Sequence, residues 1–117
     1  MPKPTVPQII VLWERTLHSL LDCTERFPKS VRHSFGHRID GLALDIAEAL
    51  VEAQYASGAE TEAFLHRANR MLARLRMLIR VAADRRYLSL GLLEALSKDF
   101  QAVGAQLNRW LRASDGA

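Results

Sequence analysis

The chain has 117 residues, of which 49% are hydrophobic and 25% charged. That is one domain's length with enough apolar residues for its own core, and the composition excludes a disordered chain. The formal charge is +3, but seven arginines against three acidic residues give the segment Glu60 to Arg86 a charge of +4, and the remainder −1. A lone cysteine, Cys23, excludes an internal disulfide and leads us to expect a reducing, cytoplasmic setting. The sequence shows no leader-like start, and no apolar run approaches the roughly 18 residues of a membrane span, so no membrane partner is expected.

The opening MPKPTVP is too rich in proline for a helix, so residues 1–6 read as a short extended arm and residues 7–112 as the folded domain. Apolar residues then recur at spacings of three and four, the helical period. Helix one is predicted from Thr5 or Pro7 to Arg26, with Ile9, Ile10, Trp13, Leu17, Leu20 and Leu21 as its stripe. Phe27-Pro28 breaks it, because a residue before proline avoids the helical region. Helix two starts near Pro28 and runs to about Ala56. Its core stripe is Val31, Phe35, Ile39, Leu42, Ile46, Leu50 and Ala53, and Ser57-Gly58 ends it with a glycine suited to a left-handed cap.

Helix three is predicted from about Glu60 to Arg86, with Phe64, Leu65, Ala68, Met71, Leu72, Leu75, Leu78, Ile79 and Ala82 inward. Ser89 is the predicted N-cap of helix four, whose stripe is Leu93, Leu96, Phe100, Val103, Leu107 and Trp110. Residues 113–117 read as a frayed tail. Four amphipathic helices with short connections predict an all-α fold, an antiparallel up-down-up-down four-helix bundle.

Helix two has a second apolar face. At about 100° per residue, Leu44, Val51 and Tyr55 fall opposite its core stripe, with Ala47 beside them. Two readings are open: scattered exposed apolar groups, or self-association through the outer face. Met77 of helix three points away from that helix's core and is assigned to the same interface.

The same wheel sorts the arginines of helix three. Arg67, Arg70, Arg74 and Arg85 lie along one flank of its apolar stripe, and Arg76 and Arg80 along the other. Arginine stems can cover core edges with their heads in water. Within the helix there are few acidic partners, so some arginines are expected to pair with Asp40, Asp45, Glu48 or Glu52 of helix two, within the chain or across subunits. The others form a cationic surface suited to phosphate backbones, and without an exposed aromatic series it would read charge and shape rather than sequence. Arg85 and Arg86 at the helix end, and Arg32 and Arg38 of helix two, are candidates to extend it.

No catalytic constellation emerges. His33 and His37 have metal-capable spacing but no third matched ligand. Glu14 and His18 read as a surface pair. Glu62 and His66 have the wrong spacing for a di-iron bundle, and Glu48 and Glu52 have no such histidine. Gly36 and Gly41, inside helix two, read as points of close helix approach. Cys23 has no activating base and reads as a buried thiol. No metal or cofactor is expected.

The stretch FPKSVRHSFGHRIDGLALDIAEALVEAQY, Phe27 to Tyr55, resembles the four-helix-bundle family that includes the accessory variability determinant, Avd, of diversity-generating retroelements. FLHRANRMLARLRMLIRVAAD, LSLGLLEALSKDF and VGAQLNRWL follow in the same order, so the likeness spans Pro7 to Leu111. Asn108-Arg109 stand before Trp110 where the family usually has two glycines. The resemblance implies a barrel-shaped homopentamer with a basic surface and no catalytic activity. It also implies binding to nucleic acid, both RNA and DNA, and to a reverse transcriptase that copies a template-repeat RNA mutagenically into cDNA. A sister branch is encoded within intervening sequences of bacterial large-subunit ribosomal RNA genes. It offers the rival expectation of a structural, protein-interaction bundle with no nucleic-acid role, its arginines held in intersubunit ion pairs. A small metal or redox enzyme on the bundle is the remaining alternative.

Overall fold

The computed structural model describes residues 7–115, and helices cover most of them. Helix α1 is Gln8–Glu25. Helix α2 is built from three consecutive pieces, a single turn at Lys29–Val31, a π-helical stretch at Arg32–Gly36 and a regular helix at His37–Tyr55. Helix α3 is Ala59–Asp84 and helix α4 is Leu90–Asp115. Among the described residues there is no strand. The expected arm at residues 1–6 and residues 116–117 of the expected tail lie outside the described residues. Residues 113–115 continue α4 rather than ending it.

The apolar stripes explain the packing. Helix α1 packs on α2 and α4, and α3 packs on the same two, so the four helices close into a ring around one core. The body measures 49 × 23 × 22 Å. Leu20, Ile39, Ile46, Leu50, Leu65, Leu75, Ile79, Leu96, Phe100 and Leu107 are fully buried. Each such side chain contributes roughly 1.5–3 kcal/mol on leaving water. Trp13 joins three helices: its indole Nε1 donates to the Ala43 carbonyl at 3.0 Å, and its ring lies 6.3 Å from that of Phe100. Buried hydroxyls are satisfied locally, Thr16 donating to the Leu12 carbonyl and Thr24 to the Asp40 carboxylate at 2.6 Å.

One end of the ring is closed by three aromatic rings. Phe27, Phe35 and Tyr87 sit 5.6 to 6.5 Å apart, centroid to centroid, and tie the entry of α2 to the exit of α3. The π-helical stretch lies at this end. Beyond it the predicted stripe keeps its register, with Ile39, Leu42, Ile46, Leu50 and Ala53 buried and Leu44, Val51 and Tyr55 exposed. Two glycine expectations change. Ala56, extended, ends α2, and Gly58 instead precedes α3 with φ 59° and ψ −128°, a conformation open to glycine. Gly41 is not a point of close approach, because nothing stands within 4 Å of where its Cβ would be. Gly36 is buried, but its nearest neighbour, the Phe27 ring, is at an ordinary 3.5 Å.

Helix α4 starts as expected, with the Leu92 N–H donating to Ser89 Oγ at 3.1 Å. The end of α3 is a Schellman turn. The Tyr87 N–H reaches the Ala82 carbonyl at 2.8 Å and the Arg86 N–H the Ala83 carbonyl at 2.9 Å. Glycine is usual at the left-handed position of this turn, but here it is Arg86, with φ 64°. Substituting Arg86→Gly should therefore stabilise the fold by about 1 kcal/mol, read from the midpoint of urea unfolding. A destabilised variant would mean that the arginine side chain contributes more to the fold than its backbone costs.

Candidate nucleic-acid interface

Helix α3 must bury Leu65, Ala68, Met71, Leu72, Leu75 and Ile79. Positions 67, 70 and 74 are offset from that stripe by the helical repeat and emerge on the flank beside α2. There Arg67, Arg70 and Arg74 meet His37, Arg38, Gly41, Leu42 and Asp45 of α2 and their own Met71 around a cleft of about 540 Å³. Gly41 adds no side chain to the α2 wall of this cleft. Four arginines, one histidine and a single carboxylate thus share one groove.

Within the chain the expected ion pairs to α2 are not formed among the described residues. Among the described residues the one ion pair is His66 Nε2 with Glu62 Oε1, at 3.6 Å. The pair foreseen between Glu14 and His18 is absent from the described contacts. Asp40 instead accepts from Thr24. Asp45, Glu48 and Glu52 line a smaller cleft of about 110 Å³ with Ala49, Phe64 and Arg67. Arg67 therefore stands at the acidic end of the face, whereas Arg38, Arg70 and Arg74 are exposed with no carboxylate bonded to them.

The other candidates are dispersed. Arg76 lies on the opposite flank of α3, in a groove of about 390 Å³ with Asn69, Gln101, Gly104 and Asn108. Arg80 is exposed and lines neither groove. Arg85 folds back at the bundle end, its Nε donating to the Tyr87 hydroxyl at 2.8 Å and its guanidinium 5.6 Å above that ring. Arg86, beside it, is exposed. Arg32 is half-buried, donating from Nη2 to the Phe27 carbonyl at 3.2 Å, with a buried Nε that has no partner. Arg32, Arg85 and Arg86 thus belong to the aromatic end, apart from the cleft.

Leu44, Val51, Tyr55 and Met77 are exposed by 43%, 42%, 76% and 47%, high for large apolar side chains. Val51 borders α1 in a small hollow with Ile10, Trp13, Glu14, Ala47 and Leu50. By helical register, Met77 sits one turn beyond Arg74 on the arginine flank, apart from the other three. Val11 and Leu90 are exposed as well, at 57% and 75%. Both escaped the sequence reading, although each is an apolar residue off its helix's stripe.

His33 and His37 are both exposed, and no group of three or more His, Cys, Asp or Glu among the described residues could hold a metal ion. Among the described residues no helix is long and apolar enough to cross a membrane. Burial pushes the Cys23 thiol from 9.0 up to about 11, with Arg26 opposing the rise and Asp40 adding to it. At neutral pH it is a protonated thiol, the inert form.

The fold defines a class: an all-helical protein of four packed helices, with a cationic cleft between α2 and α3. The family model described as bAvd-like matches residues 8–114, and the chain belongs to that family. No curated protein matches the chain.

A raised thiol pKa means that the folded state holds the Cys23 proton more tightly than the unfolded chain. Its contribution to stability is complete below about pH 9 and is lost as pH rises through about 11. Unfolding free energy should therefore fall more steeply between those values in the native protein than in Cys23→Ala. Parallel pH profiles for the two would assign the alkaline loss to other groups.

Proposed function

We propose that this chain is a non-catalytic accessory subunit of a diversity-generating retroelement, binding its nucleic acid and its reverse transcriptase in support of mutagenic copying. Membership of the bAvd-like family supports the class of protein. The observation that carries the reading is the α2–α3 cleft, where Arg38, Arg70 and Arg74 remain free of internal ion pairs. Cations without internal ion pairs have none to break on meeting a polyanion, and they release its condensed counterions. The three- to five-residue connections and the closed ring of packed helices support an antiparallel, up-down-up-down course. The exposed Leu44, Val51 and Tyr55 support assembly with further copies, a homopentamer by family resemblance.

Titrating labelled single-stranded RNA against salt tests the nucleic-acid part. The double variant Arg70→Glu/Arg74→Glu should bind at least about tenfold more weakly at low salt, and its log–log salt slope should shrink by about 1.4, the share of two phosphate contacts. Unchanged affinity and slope would remove these arginines from the interface. For assembly, Val51→Glu should shift the sedimentation equilibrium toward smaller species by placing an unpaired charge in a buried apolar contact. Retention of the native mass would move the subunit contact away from the α2 outer face.

A further inference from the structure

We propose that the α2–α3 cleft is a slot shaped for the sugar–phosphate backbone of one strand, with Gly41 as the residue that keeps it open. This rests on the proposed nucleic-acid role and adds shape to charge. A glycine inside a helix weakens it relative to alanine, because more backbone freedom is lost on folding. The usual reasons to keep one are a positive φ or a crowded neighbour. Gly41 has neither: it lies within the regular part of α2, and no atom stands within 4 Å of its missing Cβ. What its lack of a side chain does provide is space at the α2 wall of the cleft where Arg38, Arg70 and Arg74 converge.

The chemistry of the lining selects the ligand. Arg38, Arg70 and Arg74 supply planar forks that bond phosphate oxygens in pairs, and no carboxylate neutralises them. Arg70 and Arg74 are about 6 Å apart along the helix axis, so two forks stand in line on one wall. The one carboxylate of the cleft, Asp45, also lines the acidic cleft that holds Arg67, so the cationic part of the slot is the Arg38–Arg70–Arg74 end. A volume of about 540 Å³ admits a short piece of one strand's backbone.

The slot makes a prediction that charge alone does not. Gly41→Leu changes no charge, its Cβ would meet no atom within 4 Å, and leucine favours a helix over glycine, so its melting temperature should equal or exceed that of the native protein. Its affinity for a labelled single-stranded RNA should nevertheless fall by about tenfold or more. Gly41→Ala should melt higher with a smaller loss, a graded response to side-chain volume. Gly104→Leu is the control: Gly104 is equally open but lines the groove that holds Arg76 alone, and this variant should bind RNA normally. The DNA strand of the same sequence separates the two sources of phosphodiester. Equal losses assign the slot to phosphate, and a loss for RNA alone adds a ribose contact.

Full affinity in Gly41→Leu, or an equal loss in Gly104→Leu, would overturn the slot. If Arg70→Glu/Arg74→Glu still lost binding, the cationic face would stand without it; if that variant also bound normally, the nucleic-acid role itself would fail. Displacement of the RNA by polyglutamate as readily as by unlabelled RNA would overturn the assignment in favour of an acidic peptide.

Discussion

Burial of one continuous apolar stripe on α3 is the constraint from which the rest follows. Helix α3 packs between α2 and α4, and its positions 65, 68, 72, 75, 79 and 82 are almost completely closed to water. A helix held this way has no freedom to rotate. Its intervening positions must emerge along two flanks, and in this sequence those positions carry arginine. Burying a guanidinium without a partner would cost several kcal/mol, so the heads stay in water while the stems edge the core. The cationic surface is thus a consequence of the core's geometry. The same constraint sets Arg76 apart from Arg70 and Arg74, because the two flanks of α3 face different neighbours.

Much of this architecture was legible in the sequence, because the apolar period is strong and the breaks are chemically plain. Phe27-Pro28 and Ser89 marked real boundaries, Ser89 capping α4 as its side chain allows. The inward residues of α3 are buried or half-buried as their spacing predicts. The failures have physical causes. The π-helical stretch at Arg32–Gly36 carries Phe35, which meets Phe27 and Tyr87 from other parts of the chain, and no local period encodes it. Gly58 was a recognisable punctuation mark, but whether it closes one helix or opens the next turns on one extended residue, Ala56. Charge counting suggested ion pairs between α2 and α3, within the chain or across subunits; within the chain the carboxylates either face elsewhere or stand near Arg67 without bonding it. Nor does the sequence say that Gly41 is empty for want of a neighbour, since an interior glycine looks the same whether crowded or open.

Two surfaces of α2 now have distinct characters. The side toward α3 is polar, cationic and open at Gly41. The side toward α1 exposes Val51 beside a hollow that reaches the core. A subunit contact on the apolar side leaves the cationic side free, so assembly and polyanion binding are compatible on one helix. A repeated assembly multiplies the cleft, and several equivalent clefts on one particle bind a long polyanion more tightly than one cleft does. That arrangement suits a scaffold that holds a template near a polymerase, and it needs no reactive group of its own.

The measurement that tests the central claim most directly is co-purification of this chain with the reverse transcriptase encoded nearest to it, washed at about 0.5 M salt, where exposed charge contacts are largely screened. The account predicts a stoichiometric complex that survives the wash. A chain recovered alone, as an assembly that neither retains the polymerase nor binds RNA, would contradict it and leave a purely structural bundle.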